Sequence, residues 1–251
     1  MLTEIFGNPD IDPIPLGIRV GNLVHASRLT GVNLETGELA EGVEAQVGQV
    51  LEAVKQVVET AGGTIDNVAQ VSFFLKRFDD RPLINTPWVA MFPNDQDRPT
   101  YKFMAADLPG AYLVQAEMWA VLDARRQVLY TPPVAHTNPI PMGVKIGGYV
   151  FSSRILPFEP ATNAPGDGLE RQAQLVFENL QAFLEAAGIG REDLDQARIF
   201  VSDRAHIPTI QQHWDAFFHE AAQRPVVRTV IYPQTPAAMV YIEVIAHERA
   251  A

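Results

Sequence analysis

The chain is its own nearest template. Displaced by 126 residues, the interval from Ile14 to Ile140, it aligns with itself without gaps. Ile14-Pro15-Leu16-Gly17-Ile18-Arg19-Val20-Gly21 returns as Ile140-Pro141-Met142-Gly143-Val144-Lys145-Ile146-Gly147, and Ser27-Arg28 returns as Ser153-Arg154. Gln46, Phe74, Pro82, Trp88, Phe92, Arg98-Pro99 and Glu117 return as Gln172, Phe200, Pro208, Trp214, Phe218, Arg224-Pro225 and Glu243. Such a clustered repeat is one folding unit written twice, and it leaves little room for a single large domain. The expected division is a first domain over 1–125, a linker over 126–139 carrying Thr131-Pro132-Pro133 and His136-Thr137-Asn138-Pro139, and a second domain over 140–251.

Both halves show the same order of elements. Gly17–Ser27 and Gly143–Ser153 alternate around Gly pairs and read as two-stranded hairpins. Val43, Val47, Val50, Leu51, Val54, Val57 and Val58 recur on one side of a helix over 43–60, stopped by Gly62-Gly63; a second such helix covers 169–186 and stops at Gly188. Val68–Leu75 and Leu194–Val201 read as buried strands. Shorter helices follow over 82–92 and 208–218, each with a Pro near its first turn, and strands over 101–105, 113–121, 228–232 and 239–245 close the units. The order β-β-α-β-α-β-β predicts an α+β class, with one mixed sheet per half and both helices on one face. The uncovered sheet faces then invite sheet-to-sheet packing or assembly.

Composition excludes several functions. With no cysteine there is no disulfide, thiolate metal site, iron–sulfur ligand or cysteine nucleophile. A formal charge of −11 disfavours a grip on phosphate backbones, hence on nucleic acid. No apolar run reaches the roughly 18 residues of a membrane span, and no basic-then-apolar leader stands at Met1, so a cytoplasmic, membrane-free protein is expected. There is no phosphate-binding glycine loop and no Gly-x-Ser-x-Gly elbow. His206, His213 and His219 are seven and six residues apart, too far for a helical metal pair, and His25 has Phe151 at its repeat position, the mark of a packed ring.

The order of Gly21–Ser27, Thr36-Gly37-Glu38-Leu39, Ala45-Gln46, Glu59–Gly63, Asn67-Val68, Arg98-Pro99 and Leu108-Pro109 resembles the RidA/YjgF family. So does that of Gly147–Ser153, Gln172, Glu178-Asn179-Leu180, Ala187-Gly188, Arg224-Pro225 and Ile242–Ala246 in the second half. The resemblance implies two tandem chorismate-mutase-like domains, enamine/imine deaminase chemistry, no cofactor, no metal, and a homo-oligomer of trimer-type symmetry with its cleft between domains or subunits. The family carries an Arg just after an Arg-Pro or Phe-Pro pair and a Glu in the last strand. A guanidinium fork grips the carboxylate of a 2-imino acid, and a carboxylate positions the water that attacks its C=N carbon.

This sequence departs from that pattern. The family's Arg is matched by Tyr101, with Lys102 beside it, and in the second half by Val227, with Arg228 beside it. The water-associated Glu is matched by Gln115 and Tyr241, while a second Glu stays as Glu117 and Glu243. The Gly-Gln after the hairpin serine is Arg28-Leu29 and Arg154-Ile155, and the early Tyr is Ile14 and Ile140. Strict strand register turns Lys102 and Arg228 away from the family's cleft, whereas a one-residue adjustment returns them; Pro236, one residue off the position of Pro109, suggests room for one.

The candidate catalytic residues are therefore Arg228, Glu243 and Tyr241, and the candidate substrate-binding residues are Arg154, Arg28, Lys102, Tyr101 and Gln115. Each has a plainer alternative. Arg28 and Arg154 fit ion pairs, Lys102 and Arg228 fit solvated strand-edge charges, and Glu117 and Glu243 fit buried hydrogen-bonded roles. The expected activity is hydrolysis of a C=N or related bond in a small anionic metabolite, at a site in the second half or shared between the halves. The alternative is a small-ligand-binding or interaction protein that has lost the family's Arg/Glu site.

Overall fold

The structure is a computed structural model, and it describes residues 2–10, 12–131, 138–219, 224–232 and 238–249. Pro236 and positions 132–137 of the expected linker lie outside the described residues. The chain forms two compact units. The first runs to Gln127 and also takes Asn138–Ile140; the second starts at Val128.

The first unit carries strands β1 (Leu2–Ile5), β2 (Gly17–Val20), β3 (Leu23–Thr30), β4 (Val68–Leu75), β5 (Thr100–Ala105) and β6 (Val114–Val121), with helices α1 (Val43–Thr60) and α2 (Asn85–Met91). The second carries β7 (Gln127–Leu129), β8 (Gly143–Ile146), β9 (Tyr149–Ser152), β10 (Leu194–Val201), β11 (Val226–Ile231) and β12 (Val240–His247), with α3 (Gly168–Ala187) and α4 (Ile207–Phe217). The sheet orders are β1-β2-β3-β6-β4-β5 and β7-β8-β9-β12-β10-β11, the same topology twice. The β4–β5 and β10–β11 pairs are parallel. The α+β class and the two tandem units, each one mixed sheet with two helices, are thus as expected.

Two differences from the predicted order have physical reasons. Each unit has an extra leading strand, β1 or β7, only four or three residues long and at a sheet edge, too short to show periodicity. Pro82 does not open α2; it lies inside a 3-10 turn over Phe78–Ile84 that precedes the helix.

The helices cover one sheet face in each unit. Val47, Val50, Leu51, Val54, Val57 and Val58 of α1 meet Val24, Val71, Phe73, Ala116 and Met118, with Trp88 of α2 in the same core. In the second unit Val176, Leu180, Phe183 and Leu184 of α3 meet Ala197, Ile199, Ile242 and Val244, with Trp214 of α4 beside them.

Buried polar groups hold the two copies in the same way. Gln46 Nε2 donates to the Ala40 and Ala111 carbonyls while its Oε1 accepts from the Leu113 N–H. Gln172 does the same between Gly166 and Met239. Arg19 Nη1 donates to the last-turn carbonyl of Ala61 at 2.8 Å, and Lys145 Nζ to that of Ala187 at 3.1 Å, each a cation at a helix C-terminus. Helix α3 stops at Gly188, whose φ of 65° lies in the left-handed region glycine adopts without strain.

Candidate functional site

Directly paired residues of neighbouring strands point to the same side of a sheet, so the register places every candidate. In the second unit Arg228 of β11 pairs with Arg198 of β10, and Arg198 pairs with Glu243 of β12. Their neighbours Val227, Ala197 and Val244 form the alternate row, and Ala197 and Val244 belong to the core under the helices. Arg228, Arg198 and Glu243 therefore occupy the opposite face. The first unit repeats this as Lys102, Ser72 and Glu117. Both parallel pairs keep an unbroken register, so the adjustment that would bring Lys102 and Arg228 round is absent.

The densest chemistry is at the β9–β12 end of that face. Ile155 bridges to Ile242, which puts the preceding Arg154 beside Glu243. Arg154 Nε lies 3.4 Å from Glu243 Oε1, with side-chain exposures of 15% and 2%. The same guanidinium stands 4.7 Å over the Tyr241 ring and 6.0 Å from the Tyr232 ring. Tyr241 is itself stacked on Phe200 at 4.5 Å. A buried carboxylate needs a cation or hydrogen bonds, and Arg154 supplies the first while the aromatic rings fix the guanidinium's plane. Ser153, which precedes Arg154 in the chain, has a buried Oγ with no hydrogen-bond partner among the described residues. The geometry assembles a carboxylate-binding cation, a carboxylate and a phenol in one unit.

The remaining candidates separate from it. Arg228 is exposed on the edge strand β11, with β10 between it and Glu243. Lys102 is buried on the corresponding row of the first unit. Gln115 of β6 pairs with Thr30 and Phe74 and is half-buried. Tyr101 corrects its expected substrate-binding role: it lies in the core, 5.0 Å from the Trp88 ring, with its hydroxyl donating to Asn85 Oδ1 at 2.6 Å. The reason is parity, since an unbroken register gives this position to the helix-covered face, and burial pushes the phenol's pKa up.

Arg28 and Arg154 share a repeat position but not a conformation. The pairing of β3 with β6 shifts between Ala26 and Leu29, and Arg28 in that bulge has a φ of 58°. Its Nη2 reaches Asp12 Oδ2 at 3.0 Å, on the first unit's surface. Sequence reasoning missed both Asp12, whose repeat partner is Asn138, and Tyr232, which the repeat pattern does not single out. His25 stacks on Trp119 at 4.0 Å, and His213 Nε2 meets Glu170 Oε1 at 2.8 Å. Among the described residues no three His, Cys, Asp or Glu side chains converge as metal ligands, and no helix is long and apolar enough to cross a membrane.

A family model described as Endoribonuclease L-PSP matches residues 14–122 and again 133–248. The chain belongs to this family. It carries the family's domain twice, and the RidA/YjgF resemblance is borne out. A RutC family protein of Aquifex aeolicus is 28% identical over 114 residues, covering 43% of this chain and 91% of that protein. A 2-iminobutanoate/2-iminopropanoate deaminase of Salmonella typhimurium is 34% identical over 86 residues, covering 34% of this chain and 67% of that protein. Among solved structures, the YjgF gene product of E. coli is 29% identical with a TM-score of 0.42, covering 45% of this chain and 91% of that one.

Proposed function

We propose that the second unit is a hydrolase site that releases ammonia from a small anionic imine or enamine, with water as nucleophile and no cofactor. The observation that carries this reading is the Arg154–Glu243 pair, a cation and a buried carboxylate held together against Tyr241. The deaminase name of the Salmonella relative supports it. Arg154 takes the substrate carboxylate. Glu243 accepts a proton from water as the water oxygen bonds to the C=N carbon, and the proton passes to the nitrogen. The carbinolamine so formed loses ammonia and leaves a 2-oxo acid, and Tyr241 is placed to hydrogen-bond the departing nitrogen. Arg198 and Arg228 add two further cations to the same sheet face, which favours an anionic substrate. By the same resemblance the protein is cytoplasmic and assembles as a homo-oligomer with trimer-type symmetry.

The test is ammonia release from 2-iminopropanoate generated in the assay, and from aminomuconate-type enamines. Release above the spontaneous rate is the expected result; its absence across both, with folded protein, removes the reading. A second reading, a binding protein without turnover, is favoured by one observation: Gln115 and Tyr241 stand where the family carries its water-associated Glu. Thermal stabilisation by small carboxylates without ammonia release would select it.

A further inference from the structure

The first unit holds a separate pocket, and its chemistry differs from that of the Arg154–Glu243 site. It has a volume of about 260 Å³, with Leu16, Leu29, Val32 and Leu34 among its apolar wall residues. Arg28 and Asp12 stand in the same lining, joined at 3.0 Å and each nearly half exposed. Tyr101 and Gln115, at the positions of the family's Arg and water-associated Glu, do not line it.

Three observations converge on a ligand. The first is backbone strain: Arg28 is a non-glycine residue with a φ of 58°, a conformation that L side chains avoid and that persists where the surroundings demand it. Arg154, at the equivalent position and beside an equivalent register shift, has no such φ and turns to Glu243. The second is charge. The Ile14 N–H donates to Asp12 Oδ1 at 3.0 Å and, together with Arg28, holds the carboxyl below its usual pKa, so the pocket carries one full positive and one full negative charge. The third is the wall: four aliphatic side chains beside an ion pair favour a ligand with an aliphatic tail and a charged head.

We propose that this pocket binds an aliphatic α-amino acid as its zwitterion, carboxylate to Arg28, ammonium to Asp12, and side chain against Leu16, Leu29, Val32 and Leu34. A ligand with one charge would leave the other member of the pair facing an apolar group, which disfavours simple carboxylates and simple amines. Because the pair is partly exposed and solvent-screened, it opens to admit the ligand at little cost. The site is independent of the second unit's proposed activity.

The experiment is calorimetric titration of the full chain with L-leucine, 4-methylpentanoate, isoamylamine and glycine. Leucine is expected to bind, and each of the other three, lacking one of the three recognised groups, to bind roughly tenfold more weakly or worse. Asp12→Asn and Arg28→Gln, confirmed as folded by circular dichroism, are each expected to weaken leucine by a similar factor. No heat with leucine at millimolar concentration overturns the proposal. So does binding of 4-methylpentanoate or isoamylamine as tight as leucine, or leucine affinity unchanged in both variants.

Discussion

Arg154 Nε stands 3.4 Å from Oε1 of Glu243, a carboxylate only 2% exposed. The counterpart of this arginine, Arg28, turns away from Glu117 to meet Asp12 at the surface. One repeat position has thus been put to two uses: the strand pairing shifts by one residue there in both copies, but only Arg28 takes a positive φ.

Removing one member of a buried ion pair costs more than the pair contributes, because the survivor keeps its desolvation penalty. Arg154→Met is expected to lower unfolding stability by about 3 kcal/mol. In a double-mutant cycle with Glu243→Gln, the combined loss should fall short of the sum by about 1–3 kcal/mol. Urea unfolding followed by tryptophan fluorescence reads it. Additive losses would mean that the two side chains do not act as a unit.

Tyr101 gives the fold an alkaline weakness. Its folded pKa is raised by burial above the ordinary value of 10.0, so the unfolded state loses its proton first as pH rises. Stability from this group is complete below about pH 10 and is lost above it, with a slope approaching about 1.4 kcal/mol per pH unit. Tyr101→Phe forfeits the bond to Asn85 at neutral pH, about 1 kcal/mol, but should flatten the decline of melting temperature between about pH 9.5 and pH 11. A variant that declines as steeply as the parent would refute this.

Two glycines should respond in opposite directions to alanine. A Cβ on Gly143 would meet the Phe183 ring at 2.5 Å and the Phe151 carbonyl at 2.9 Å. Overpacking of this kind costs about 1–3 kcal/mol. Gly48 lies inside α1, and a Cβ there meets nothing within 4 Å. Gly48→Ala should therefore stabilise by about 0.5–1 kcal/mol through helix propensity alone. Paired thermal melts would check both signs at once.

The repeat made most of the fold legible, because burial patterns over α1, β4 and β10 are written in long one-sided or continuous apolar runs. It was least informative where tertiary contacts decide. Arg126 reads as the start of a linker, yet its side chain is buried and donates to the carbonyls of Ile65, Val68 and Asp97. Nothing local marks such a latch, since the carbonyls it satisfies lie far away in sequence. The site was legible in part. Arg154 and Glu243 could be named from their repeat positions and are brought together, whereas Tyr101 and Arg228 turned on strand parity, which a single unmarked bulge would have reversed. The register shifts that do exist, between Ala26 and Leu29, Val68 and Gln70, and Leu194 and Gln196, have no glycine or proline within them to announce them.

Ammonia release from 2-iminopropanoate by Glu243→Gln and Glu117→Gln asks whether one carboxylate, in one of two copies, carries the chemistry. Glu243→Gln is expected to lower the rate by about a hundredfold or more, the scale of a lost general base, while Glu117→Gln keeps most of it. Equal rates in the two variants, or a parent protein that releases ammonia no faster than buffer, would contradict it.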